Sequence, residues 1–185
     1  MKKRYLSITF IFLLGSMQAQ FRKEGFKEQV VIGVKVGPVI STFSNNADAK
    51  PFVGIYTGLF ASIKLTDKYA LQPEIAYTSQ GAKFDTGEVN LNYIIIPMIL
   101  KHYVADRIIV EVGTQMSFLT STRSTNSELL DSYNKIDFAA NIGLSYYLNP
   151  KMMLGFRYCL GLARIEKIEN PTKSSAIQLT FGYHL

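Results

Sequence analysis

The sequence predicts an all-β chain: an eight-stranded antiparallel up-and-down transmembrane β-barrel that follows a cleaved signal peptide. Three observations carry this expectation. Apolar residues alternate with small, polar or charged ones at period two, along segments longer than the usual globular strand of ~5–6 residues. Tight turns alternate with longer polar connections. An apolar run behind a basic cluster opens the chain.

At the N-terminus Lys2, Lys3 and Arg4 precede the apolar run Leu6–Leu14, and Gly15–Ala19 supply small residues before Gln20. This is the order of a secretory signal with cleavage after Ala19, although Met17 is larger than the residue usual two positions earlier. The signal peptide is therefore expected at 1–19 and the barrel at 20–185. A membrane anchor helix is the competing reading, but the run is too short to cross a bilayer. No Cys follows the cut site, which argues against a lipoprotein. Cleavage leaves seventeen Lys and Arg against fourteen Asp and Glu, a formal charge of +3 on about 165 residues. That removes the main support for a nucleic-acid partner. It also leaves the size of one domain. Tyr93–Leu100 is the nearest approach to a second apolar helix, and it is short and holds Pro97.

The strand pattern is clearest in Pro51–Phe84, two arms joined by a turn at Thr66–Lys68. In the first arm Val53, Ile55, Thr57, Leu59, Ala61 and Ile63 oppose Gly54, Tyr56, Gly58, Phe60, Ser62 and Lys64. In the second, Leu71, Pro73, Ile75 and Tyr77 oppose Gln72, Glu74, Ala76 and Thr78. Such arms suit tilted membrane strands, which need ~9–11 residues. The other strands are expected near Gln29–Phe43, Val89–Tyr103, Arg107–Leu119, Ile136–Leu148, Met152–Ile165 and Ser175–Leu185. Thr66–Lys68, Ala105–Asp106 and Asn149–Lys151 read as tight turns. Ser44–Lys50, Asp85–Glu88, Thr120–Lys135 and Glu166–Ser174 read as mostly longer, polar connections. Short turns on one rim and longer loops on the other are the pattern of the outer membrane of a Gram-negative bacterium, with the short turns and both termini in the periplasm.

A soluble lipocalin-like barrel would share the alternation with the faces exchanged. Strand length, loop asymmetry, and aromatic residues near strand ends (Phe43, Phe84, Phe118, Tyr69, Tyr103, Tyr183) favour lipid outside. The polar face then points inward and carries Lys35, Lys64, Glu74, Lys101, Glu111 and Arg157 into the lumen. Mixed charges in a narrow interior can neutralise one another and hold the wall together, whereas an unpaired one is costly. Tyr56, Phe60 and Tyr147 share this face, and an eight-stranded interior is just wide enough for side chains to fill, so a plugged barrel is expected rather than an ion path.

Three stretches carry a resemblance. LQPEIAYTSQGAKF at Leu71–Phe84, GLFASIKLTDKYA at Gly58–Ala70 and YIIIPMILKHY at Tyr93–Tyr103 resemble the PorT-like outer-membrane β-barrel family. The resemblance covers essentially the whole chain after residue 19 and implies an eight-stranded outer-membrane barrel. Ile95 stands where that family usually has an inward acidic residue, which weakens the implied lumen network near Lys101. The family's best-known member is tied to protein secretion.

No catalytic, cofactor or metal site emerges. His102 and His184 fall at the short-turn ends of their strands, away from the outer leaflet where a lipid-modifying enzyme would act. No His, Cys or Asp cluster has metal-ligand spacing. The lone Cys159 reads as a buried or lumen-facing thiol. Gly33, Gly37, Gly54 and Gly58 read as close-packing positions. The expected role is structural or that of a partner in envelope assembly or protein secretion, with membrane lipid and other envelope proteins as partners. A small pore or ligand-binding barrel is the alternative, and a lipid-modifying enzyme a weaker one.

Overall fold

A sheet with one apolar and one polar face can hide the polar one from lipid only by closing on itself. The computed structural model describes residues 30–44, 49–84, 87–124, 134–162 and 173–185, and in it the chain closes. Eight antiparallel strands follow one another around the barrel in sequence order: β1 (Val30–Ser44), β2 (Lys50–Lys64), β3 (Tyr69–Phe84), β4 (Gly87–Ala105), β5 (Ile108–Ser124), β6 (Ile136–Asn149), β7 (Met152–Gly161) and β8 (Lys173–His184). β8 returns to β1, with Gly33 opposite His184 and Ser44 opposite Lys173. The expected eight-stranded barrel is the observed one. The signal peptide expected at 1–19 lies outside the described residues.

Side chains take the faces that parity assigns. Ile32, Leu59, Ile75, Leu144, Phe156 and Leu179 stand exposed around the outside, while Lys35, Gln72, Glu74, Lys101, Glu111 and Arg157 are buried within. A continuous apolar exterior around an ionic interior is the reverse of a lipocalin and is made for lipid. No helix among the described residues is long and apolar enough to cross a membrane; the strands do the crossing. The β3–β4 ladder runs to Pro73 opposite Met98 and resumes at Ala76 opposite Ile95, skipping the position of Pro97, which has no N–H to give.

At the short-turn end, local side chains close the hairpins. Thr66 Oγ1 accepts from the amides of Lys68 and Tyr69 at 3.2 and 3.1 Å, so Thr66 rather than Asp67 shapes the β2–β3 turn. Asn149 Oδ1 accepts from the amides of Lys151 and Met152, each at 2.9 Å. The β4–β5 turn is Asp106–Arg107, one residue later than expected.

The opposite end departs from expectation in two places. β4 begins at Gly87, so residues 85 and 86 alone separate it from β3, and Asp85–Glu88 is not a longer loop. Phe84 pairs with Gly87, whose φ of 142° is a conformation that glycine adopts without strain. β5 runs on through Thr120–Ser124, with Ser121–Ser124 paired to Val89–Asn92 and Thr120 at a register shift, so the expected loop Thr120–Lys135 begins five residues late. Its core, with Leu129, Leu130 and Tyr133, lies outside the described residues, as do 45–48 and 163–172.

Candidate functional site

The interior is filled in three layers, and the middle one is ionic. Glu74 is placed by the alternation of β3 and collects donors from three other strands. Lys35 Nζ of β1 donates to its Oε1 at 2.9 Å, and Tyr56 of β2 donates its hydroxyl to Oε2. Arg157 of β7 reaches across the lumen with both terminal nitrogens, Nη1 to Oε2 at 3.0 Å and Nη2 to Oε1 at 2.9 Å. Gln72, two residues earlier on β3, adds a bond of 2.6 Å from Nε2. Arg157 Nη2 also donates to Glu111 Oε2 of β5 at 2.8 Å, and Ser145 of β6 donates to Glu111 Oε1 at 2.6 Å. Both oxygens of both carboxylates are therefore bonded, as buried charges require. Six strands meet in one cluster.

Of the six charged residues expected in the lumen, Lys35, Glu74, Glu111 and Arg157 are brought together. Lys101 lies in the same interior with no exposed surface, but its Nζ has no hydrogen-bond partner among the described residues. Its cross-strand neighbour is Glu111, whose oxygens are already engaged. Lys64 is not in the network at all. It ends β2 at the rim and bonds Asp67 of the turn at 2.8 Å, with half its side chain exposed. That hydrogen bond, with the Lys64 charge, holds the Asp67 carboxyl below its usual value. Sequence parity did not single out Gln72 and Ser145, both inward-facing polar residues, because which of them lies level with a carboxylate depends on barrel register.

Toward the short turns the second layer is aromatic. Phe60 meets His184 edge-on at 5.5 Å, and His184 meets Tyr147 at 5.4 Å, with 3.4 Å between the Tyr147 hydroxyl and His184 Nε2. Lys35 and Lys101 place their ammonium groups 5.4 and 5.7 Å from the Phe60 ring centre. Room for that ring comes from Gly33, where a Cβ would fall onto it. His102 is not part of this layer; its ring meets Tyr69 at 4.6 Å, tilted by 35°.

Toward the longer loops the third layer is built around an apolar cluster, with polar side chains such as Ser41, Gln80, Ser117 and Asp137 buried on the same inward face. Val39, Phe43, Leu91, Tyr93, Ile95 and Cys159 pack with Ala76, Ala82 and Tyr56. Phe43 and Phe84, expected in the outer aromatic belt, instead meet each other at 6.3 Å, Phe43 buried and Phe84 packed against this core. Tyr69 and Tyr183 do stand exposed outside. Ile95 has no exposed surface and sits inside this layer.

A closed eight-stranded barrel with a lipid-facing apolar wall and a side-chain-filled interior defines a small integral outer-membrane protein. Residues 18–166 match the family described as outer membrane protein beta-barrel domain, and the chain belongs to that family. It resides in the outer membrane of a Gram-negative bacterium. No curated protein matches it in sequence. Among solved structures it is similar to Neisserial surface protein A, with TM-score 0.61 and 15% identity over 83% of this chain and 97% of that one. It is also similar to Ail, the attachment invasion locus protein of Yersinia pestis, with TM-score 0.54 and 12% identity over 85% and 99%. The outer membrane protein OprG of Pseudomonas aeruginosa gives 0.50 and 12% over 87% and 98%. At these identities the likeness is one of fold.

Proposed function

We propose that this chain is a non-enzymatic, PorT-like outer-membrane barrel with a closed lumen, serving as a structural component or partner in envelope assembly or protein secretion. The observation that supports this reading is the ionic layer. Its two carboxylates accept seven hydrogen bonds from Lys35, Tyr56, Gln72, Ser145 and Arg157. Charges bound to one another in this way tie the wall together and leave neither Glu74 nor Glu111 free to act as acid, base or ion-coordinating group. The PorT-like assignment rests on Gly58–Ala70, Leu71–Phe84 and Tyr93–Tyr103. Among the described residues neither His102 nor His184 is hydrogen-bonded to a carboxylate, which argues against a hydrolase of membrane lipid.

In this reading the short turns face the periplasm and the longer loops the exterior, so that partners meet a rim rather than the lumen. Cross-linking in intact envelopes followed by affinity recovery tests it. A reproducible set of envelope proteins is the expected result, and a barrel recovered alone in every preparation would contradict it. The small-pore reading has one observation in its favour, the unpartnered ammonium of Lys101. Conductance separates it from the closed barrel.

A further inference from the structure

We infer that the lumen binds one small monovalent anion, of the size and chemistry of chloride, at the ammonium group of Lys101. The ionic layer is not neutral. The layer holds three cations, Lys35, Lys101 and Arg157, and two anions, Glu74 and Glu111, all buried. The four residues other than Lys101 satisfy one another through ion pairs of 2.8 to 2.9 Å. The excess positive charge therefore falls on Lys101.

Hydrogen bonding gives the same answer independently. An ammonium group carries three N–H donors and no acceptor. At Lys101 none of the three finds an acceptor among the described residues, although the side chain has no exposed surface. Glu111 lies directly across the β4–β5 ladder, yet it is turned to Arg157 and Ser145. The Phe60 ring offers its face at 5.7 Å, but Lys35 lies near the same ring at 5.4 Å. A buried ammonium whose N–H groups reach no acceptor, in a layer whose two carboxylates are shared among three cations, is strongly disfavoured. The missing group must accept hydrogen bonds and carry one negative charge. It must also be small, because Phe60 and the ion cluster already occupy the neighbouring space.

Two alternatives, a water molecule or loss of the Lys101 proton, would meet only half of this need. Water would accept from Lys101 and could donate to the orphaned Gln72 Oε1, which lies on the adjacent strand, but it would leave the charge. A neutral amine would remove the charge and leave the donors. An anion satisfies both requirements. The site takes nothing from the proposed envelope role and stands or falls separately from it.

The test uses the refolded barrel in detergent micelles. Crystals grown in sodium bromide, measured at the bromine absorption edge, should show an anomalous peak at hydrogen-bonding distance from Lys101 Nζ. In solution, replacing gluconate by chloride at constant ionic strength should raise the wild-type unfolding temperature in a saturable way. Lys101→Met should show no such dependence. An Nζ environment holding water alone, with no anomalous peak, overturns the inference, as does an equal chloride response in Lys101→Met. Should that variant fail to refold, the bromide map of the wild type decides alone.

Discussion

The ionic and apolar layers are built on the same inward parity of the same strands, yet they hold the barrel in different ways. The ionic layer works by direction. Glu74 is useful only because Lys35, Tyr56, Gln72 and Arg157 reach it from four strands with donors aimed at its two oxygens. The apolar layer works by volume, with Phe43, Leu91, Tyr93 and Ile95 filling the lumen through contacts that have no preferred partner. Tyr56 joins the two, its ring in the apolar cluster and its hydroxyl on Glu74. One layer should fail abruptly on losing a single group, and the other by degrees.

The largest expected effect tests which layer faces outward. If the apolar layer is exterior, protease added to intact cells cuts the chain between β5 and β6, at exposed Lys135, and spares the strands. Arg123 is a poorer site, since it is paired with Asn90 inside the β4–β5 ladder. A cut seen only after the membrane is permeabilised would invert the barrel.

Next comes the ionic layer. Glu74→Leu leaves Lys35 and Arg157 buried without their main acceptor, a loss of about 3–5 kcal/mol for a broken buried pair. Heat-modifiability on gels should show the barrel unfolding at markedly lower temperature, and an unchanged midpoint would mean that the cluster holds nothing. In the apolar layer Ile95→Val, which removes one buried methyl group, should cost only about 0.5–1.5 kcal/mol in denaturant titration. A cost equal to that of Glu74→Leu would erase the distinction between the layers.

The smallest effect belongs to Lys64–Asp67, an exposed pair on the rim. Asp67's carboxyl lies below its usual value when folded, so any stabilisation is present above the ordinary carboxylate range and is lost as pH falls through the depressed value. Solvent screens such a pair, and Lys64→Met should leave the unfolding midpoint at neutral pH unchanged within error.

Parity made much of this legible. It placed Lys35, Glu74, Lys101, Glu111 and Arg157 inside, because in a strand the face follows from counting by two. It could not say which residues share a level. Lys64 has the same parity as Tyr56 and Phe60 but is the last residue of β2, and only the position of the rim shows that its ammonium reaches the turn instead. Phe43 was legible as a strand-end aromatic, not as one buried against Phe84. Thr120–Ser124 read as loop because period-two apolar alternation is absent there. They are strand because backbone pairing of Ser121–Ser124 with Val89–Asn92 does not depend on side-chain chemistry. Glu74 and Arg157 meet across 83 residues of sequence, a contact that depends on closure of the whole barrel.

The central claim is that these layers keep the lumen shut, and planar-bilayer recording of the refolded protein tests it most directly. The account predicts a bilayer that stays silent in potassium chloride with the wild-type protein inserted, insertion being verified by protease protection. A steady, reproducible single-channel conductance from the folded wild type would contradict it.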